Sequence, residues 1–321
     1  MKNRNEFFHY VMENMQRYLP TPFADAQISI KESEAGNGIK VPALLIRRPE
    51  DTTVLYLPLE EAYRRYREGS HLDSCVKQLA DLQIACDHLK YLSDLNDMSD
   101  YEKIKDKLMI KLCDPELNME WLDDKIYTLH GDFAAVYYMM LYEGKEKRVS
   151  MPVTKQLMEE WKVPIKQIHE DAMLLERKKQ AVLMEMDDYW YLASTDSGIN
   201  RNLLDEEAEW HPEMAEKPML CLTNSSMENG ASMILQEDLM KRIGELIGSD
   251  FYILPSSIHE TLLVPLGVMD VSELSQMVKE VNEIGVELCD RLSDKVLYYD
   301  REKGIFENAE KKSEEFLFRK E

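Results

Sequence analysis

The stretch Phe251-Tyr-Ile-Leu-Pro-Ser-Ser-Ile-His-Glu-Thr-Leu-Leu-Val-Pro265 sets two short, apolar, β-prone runs on either side of a polar centre. Phe251 to Leu254 and Thr261 to Val264 read as strands. Together with the polar centre they read as a strand–turn–strand. The polar centre holds Ser256, Ser257, His259 and Glu260. Hydroxyls, an imidazole and a carboxylate crowd together there, so it is the first place to look for chemistry. A Ser–His–acid relay needs the imidazole within hydrogen-bond reach of both partners. Neighbours in extended chain point to opposite faces, so His259 and Glu260 diverge. No G-x-S-x-G elbow exposes a serine. The leading expectation is a turn or bulge whose hydroxyls satisfy backbone groups. Catalysis and ligand binding at the same residues are the alternatives.

Outward from this stretch the chain has 321 residues, 44% of them apolar, which is enough for two domains or one large one. Its net charge of −22 opposes binding to a phosphate backbone or an anionic membrane. No apolar run approaches the ~20 residues of a membrane span. The longest, Phe133 to Tyr142, reads as a buried strand. The N-terminus lacks an apolar core after its early charge, so no secretory signal is expected. Cys75, Cys86, Cys113, Cys221 and Cys289 are scattered and never form C-x-x-C, which points to reduced thiols in a cytoplasmic protein.

In order along the chain, Phe7, Phe8, Val11, Met15, Tyr18 and Leu19 form a helical stripe. Gln27 to Ser33, Ile39 to Arg47 and Thr52 to Leu57 read as a meander, with Gly36, Asn37 and Gly38 as its first turn. Leu59 to Leu95 is amphipathic, and Gly69-Ser70 breaks it in two. Ser93 to Asp100 is a polar connector. Beyond it, Lys105 to Cys113 is apolar, and the apolar run from Phe133 returns by Lys147 to Met151 through a turn at Glu143-Gly144-Lys145. Helices follow around Trp161 and Leu175, then strands at 181 to 193 and 219 to 222. Helices to Ile247 and over Ser272 to Leu288 flank the opening stretch, and Asp300 turns a last hairpin. The expected fold is α+β, mainly antiparallel strands with packed helices. It divides into an N-terminal helix–meander–helix unit (1–97), a larger C-terminal unit (98–307) and a charged, helix-prone tail (308–321).

Tyr18-Leu-Pro, Gly38-Ile-Lys with Ile46-Arg47, Leu222-Thr-Asn224 with Asn229-Gly230-Ala231, and Pro255-Ser-Ser-Ile-His-Glu260 with Val264-Pro265 together resemble one bacterial family. That family is known only as a domain of unknown function, and the likeness covers roughly residues 5 to 307. From about residue 101, the order of elements is also similar to a second uncharacterised bacterial family, with Tyr299-Asp300 and Gly304 in its last hairpin. Trp161-Lys162 and Leu175-Glu-Arg-Lys178 depart from the pattern. Neither resemblance implies an activity, a cofactor or a catalytic residue.

No cofactor or metal is expected. Glu34-Ala-Gly-Asn-Gly38 lacks the spacing of a P-loop, and neither G-x-G-x-x-G nor H-E-x-x-H occurs. His130 with Asp132, and His169 with Glu170, are the pairs that could approach in space as ligands, although isolated histidines are more often structural. The acidic segment 187–217 carries Tyr189, Trp190, Tyr191 and Trp210. It is expected to be a surface arm with partial order, of which residues 195 to 215 can be deleted with the fold intact, and with these aromatics as anchors for a protein partner. The functional expectation is a non-enzymatic binding or regulatory protein. The alternatives are a hydrolase using His259 with Ser256 or Ser257, and an acidic inhibitor that mimics DNA.

Overall fold

The computed structural model describes residues 2–36, 39–51, 55–92, 98–143, 148–195, 199, 201–205, 210–212, 218–288 and 290–318. The expected turn residues Asn37, Gly38, Gly144 and Lys145, most of the 93–100 connector, parts of the acidic segment, and Cys289 lie outside them. The chain forms two compact units. One comprises Met1–Asp100 with Met140–Ser150, and the other Tyr101–Met139 with Met151–Glu321.

In the first unit, helix α1 (Arg4–Asn14) opens on a capping box between Asn3 and Glu6, which satisfies two of its free backbone donors. Its buried face, Phe7, Phe8 and Val11, recurs at helical spacing. Strands β1 (Gln27–Gly36), β2 (Ile39–Arg47) and β3 (Tyr56–Pro58) form an antiparallel sheet in that order. Ile28 pairs with Ile46, and Leu44 with Leu57, in register. Helices α2 (Glu60–Arg67) and α3 (Leu72–Leu92) separate at Gly69, whose φ of +111° a side chain would strain. Phe7, Met15, Leu44, Ile46 and Val76 meet in one core. Arg48 is also buried in this unit, between Asp51 and Asp87.

The second unit carries a six-stranded antiparallel sheet and most of a four-stranded one, whose residues 140–150 are counted with the first unit. After a short helix α4 (Tyr101–Ile104), β4 (Leu108–Cys113), helix α5 (Met119–Leu122), β5 (Tyr127–His130), β6 (Phe133–Glu143) and β7 (Arg148–Pro152) follow in sequence. They build a four-stranded sheet in which β6 pairs with β4, β5 and β7. Helices α6 (Lys155–Trp161) and α7 (Ile165–Lys178) come next, divided by Pro164. Thr154 caps the first of them. Strand β8 (Ala181–Glu185), helix α8 (Met186–Ser194), β9 (Leu220–Asn224), a 3-10 segment (Gly230–Leu235) and helix α9 (Glu237–Ile247) lead to the opening stretch. There β10 (Phe251–Leu254) pairs with β11 (Thr261–Pro265), Phe251 opposite Pro265. Helix α10 (Val271–Ile284), the hairpin β12 (Leu297–Asp300) and β13 (Ile305–Asn308), and helix α11 (Ala309–Phe318) complete the unit. The six-stranded order is β13-β12-β10-β11-β9-β8, so the opening stretch forms the two central strands. All four residues of β10 are buried, as central strands covered on both faces require. The fold is α+β, as expected. No described helix is long and apolar enough to cross a membrane. Cys75 and Cys221 are buried free thiols, and Cys113 is half-buried and free.

Three sequence expectations need correction. Residues 181–193 are not one strand. After Glu185 the chain turns helical, and Met186, Tyr189 and Leu192 pack at three-residue spacing against Val182, Met184 and Cys221. Asp187 and Asp188 in the first turn favour that helix N-terminus. Strand β5 was not foreseen, because Tyr-Thr-Leu-His is too short to show a period. Lastly, part of the acidic segment belongs to the fold. Asn202, Leu203 and Leu204 are buried. The Asn202 amide accepts from Leu183 N–H at 3.0 Å and donates to the Ala181 carbonyl at 2.9 Å. Leu203 N–H donates to the Leu183 carbonyl at 2.7 Å. These bonds cover the open edge of β8, where an exposed strand would invite pairing with another chain.

Candidate functional site

The loop between β10 and β11 is pinned on several sides through its backbone. Leu292 and Ser293 N–H donate to the Ser256 and Pro255 carbonyls, and Ile258 N–H donates to the Asp290 carbonyl at 2.8 Å. From the other side, Ala231 N–H reaches the Ile258 carbonyl, and the Thr223 hydroxyl donates to the His259 carbonyl at 2.8 Å. The residues singled out in the sequence around 222–224, 229–231 and 255–260 therefore assemble in one place.

His259 is about one-third exposed there, with Nε2 3.4 Å from Asp290 Oδ1. Its Nδ1 accepts the Asn229 N–H at 3.2 Å. Burial opposes a charged ring, but the hydrogen bond and charge of Asp290, with Glu260 and Glu228, outweigh it and raise the pKa. The Asn229 N–H works against that charge, since a proton on Nδ1 would set two donors face to face. The neutral ring with its proton on Nε2 is thus the form that satisfies both contacts. Ser257 Oγ accepts the His259 N–H at 2.9 Å. Burial raises the Glu260 pKa most, and the neighbouring Ser257 and Tyr189 hydroxyls, with His259, oppose the rise. Ser256 is buried and contributes its carbonyl. Among the described residues no hydroxyl stands on either ring nitrogen of His259, so the serines here serve the turn. Asp290, Asn229 and Tyr189, the partners that define the site, carry no local sequence signal.

A second site lies in the same unit. The end of strand β5, helices α7 and α9, the 3-10 segment between β9 and α9, and the β12–β13 hairpin line an open cavity of about 420 Å³. Thr128, His130 and Tyr137 share the sheet face turned toward it, because Thr128 pairs with Ala135 and His130 with Phe133 in register. Helix α7 supplies His169, one turn after Ile165 and one face round from the buried Ile168. The rings of His130 and His169 stack at 5.3 Å between centroids, tilted by 25°. His130 Nε2 lies 2.9 Å from Thr128 Oγ1, which lies 2.6 Å from the Tyr137 hydroxyl, which lies 2.8 Å from His169 Nδ1. Burial lowers both imidazole pKa values. His169 lowers that of His130 further, Arg177 lowers that of His169, and Glu237 and Glu170 resist.

The opposite wall carries Tyr299. Its ring is 1% exposed and stacks on Phe251 at 4.7 Å, yet its hydroxyl has no hydrogen-bond partner among the described residues. Gly131 closes the rim with φ +57°, and a Cβ there would lie 2.9 Å from the Phe306 ring. Among the described residues no group of three or more His, Cys, Asp or Glu side chains is placed to hold a metal ion. His130 and His169, weighed in the sequence as possible metal partners of His259, instead meet each other, through Thr128 and Tyr137, which the sequence did not flag. The sequence pattern hid the pair because its members lie 39 positions apart on a strand and a helix.

Compared with known proteins, residues 4–301 match the model of a family of unknown function, DUF5688. No curated protein and no solved structure matches the chain.

Proposed function

The chain belongs to the DUF5688 family, and we propose that it is a binding protein whose second unit takes a small polar molecule in the His130–His169 cavity. One observation carries this reading: the Tyr299 hydroxyl, buried in the cavity wall without a protein partner. A buried hydroxyl left unpaired costs about 1–3 kcal/mol, which a ligand oxygen or nitrogen would recover. The cavity's size is that of small-molecule sites, and its lining is as polar as it is apolar, which suits a polar ligand. We place the protein in a bacterial cytoplasm, consistent with its free buried thiols and the bacterial family its motifs resemble. Its net charge of −22 speaks against direct nucleic-acid binding.

Tyr299→Phe tests the reading. In the free protein the substitution removes no protein hydrogen bond and relieves the unpaired hydroxyl, so stability should rise by about 1–3 kcal/mol. A ligand found by thermal shift across a library of small polar metabolites should bind the variant about tenfold more weakly, the equivalent of ~1.4 kcal/mol. A library without a single stabilising compound, or equal affinity for both proteins, would count against it.

A second reading concerns helix α8. Trp190 and Tyr191 are 63% and 53% exposed beside Asp187 and Asp188, which suits a basic protein partner docking on aromatic anchors. Pull-downs with the intact protein and with Trp190→Ala/Tyr191→Ala should then differ in a recovered partner. Identical profiles would remove this surface from consideration.

A further inference from the structure

The two cavity histidines are joined by a hydrogen-bond chain whose proton count is fixed. His130 Nε2, Thr128 Oγ1, the Tyr137 hydroxyl and His169 Nδ1 make three links. Each link needs one proton, and the two hydroxyls own two. The third must come from one imidazole, while the other imidazole accepts. If His130 donates from Nε2, its Nδ1 is an acceptor and His169 carries its proton on Nε2. If the chain runs the other way, both roles reverse. Neither His130 Nδ1 nor His169 Nε2 has a partner among the described residues, and both histidines line the cavity. The cavity therefore meets one proton donor and one acceptor, and they can only exchange roles together.

We propose that this chain is a proton relay that catalyses keto–enol isomerisation of a small carboxylate-bearing carbonyl compound. The inference rests on the binding reading above and goes beyond it. In the forward step the substrate C–H bond breaks, its electron pair forms the carbon–carbon double bond, and the proton passes to His130 Nδ1. The His130 Nε2 proton moves to Thr128, the Thr128 proton to Tyr137, and the Tyr137 proton to His169 Nδ1. His169 Nε2 gives its proton to the carbonyl oxygen, which takes the former π pair. No electron is gained or lost, and the relay ends in its opposite orientation, ready for the reverse reaction or for reset by solvent exchange.

Three features fix the substrate class. Both imidazoles are held neutral by burial, so one can act as base and the other as acid near pH 7. They stand side by side at 5.3 Å, on one side of any ligand, which suits a shift along one face rather than an inversion between two. Arg177 lines the cavity and makes no ion pair among the described residues, so its guanidinium is available to a carboxylate. A weak base such as neutral imidazole also demands an activated C–H, as in a 2-oxo acid.

The test uses the full chain, labelled with ¹⁵N, and phenylpyruvate as probe. Long-range ¹H–¹⁵N spectra should find His130 and His169 in opposite tautomers, and Thr128→Val should uncouple them. Deuterium from D₂O should enter the probe's methylene about 100-fold faster with the wild type than with Thr128→Val or Tyr137→Phe, in kcat and not in KM. An unchanged amide fingerprint in the variants serves as the fold control. Identical tautomers in the two rings, or exchange in Thr128→Val at the wild-type rate, would overturn the relay. Phenylpyruvate that shifts the imidazole signals but exchanges only at the buffer rate would overturn the catalysis and leave the binding reading standing. A probe that moves neither ring would remove both.

Discussion

Replacing Arg48 by Ala is expected to destabilise the first unit by about 3–5 kcal/mol, the cost of stripping one partner from a buried ion cluster. The Arg48 side chain is 4% exposed. Its two terminal nitrogens meet both oxygens of Asp87, at 3.1 and 2.5 Å, and it reaches Asp51 Oδ1 at 3.0 Å. Asp51 in turn accepts the Arg48 backbone N–H at 2.9 Å, and the guanidinium lies 4.7 Å over the Phe23 ring. Burial resists the charge on Arg48, but the hydrogen bonds and charges of Asp51 and Asp87 hold its pKa well above the ordinary value. Without it, two carboxylates that are each 8% exposed lose their countercharge in the core. Hydrogen exchange at the Val11 and Leu44 amides reports on this unit directly. Their protection should fall by two to three orders of magnitude, the equivalent of ~3–4 kcal/mol. Adding Asp87→Asn to the variant should recover part of the loss. Equal losses in the single and double variants would assign the effect to packing over Phe23 instead. Lysine at this position keeps the charge but not the two-pronged geometry, so it should rescue incompletely.

What the sequence made legible follows from the range of the forces involved. The opening stretch announced its strands because alternating and continuous apolar runs report burial locally, and they became the two central strands of the larger sheet. The same holds for β1 and β2, whose hairpin register sets Ile28 against Ile46. Trouble began where one composition serves two periods. Met186, Tyr189 and Leu192 sit three apart within an aromatic run that also reads as a strand, and only packing on Cys221 decides for the helix. The sites were less legible still. His259, Ser257 and Glu260 stood out because they are adjacent, but their partners Asp290, Asn229 and Tyr189 come from 30 or more positions away or from an unremarkable turn. Thr128, Tyr137 and Tyr299 are ordinary strand residues by sequence, and only the sheet register brings the Thr128 and Tyr137 hydroxyls between the two imidazoles. Arg48 and Asp87 meet across 39 positions, and no local pattern can announce such a pair.

Gly230→Ala should be the most damaging single-methyl change in the second unit, destabilising it by about 3 kcal/mol or more. The reason is space rather than conformational freedom. A Cβ at Gly230 would lie 2.4 Å from the His259 carbonyl oxygen, 2.3 Å from Thr223 Oγ1 and 2.9 Å from Thr223 Cα. Neither backbone can retreat cheaply. Thr223 is held in β9 opposite Val182, and its hydroxyl is bonded to the His259 carbonyl that the new methyl would strike. The His259 side is fixed by the Ile258 amide on Asp290 and by the Ala231 amide on Ile258. Gly248 is the control. It closes α9 with φ +79° and has open space around its Cα, so alanine there costs only the left-handed strain of about 1 kcal/mol. Urea midpoints, followed by fluorescence of Trp121, Trp161 and Trp190, separate the two. A Gly230→Ala variant no less stable than Gly248→Ala would mean that the 229–231 segment can move away from the loop. In that case the Asn229 N–H would not hold the His259 ring, and the acidic groups around it would be free to keep it charged. If Gly230→Ala is severe instead, close backbone approach between this segment and the β10–β11 loop is what orients His259. The imidazole would then be positioned by main-chain packing before any neighbouring charge acts on it.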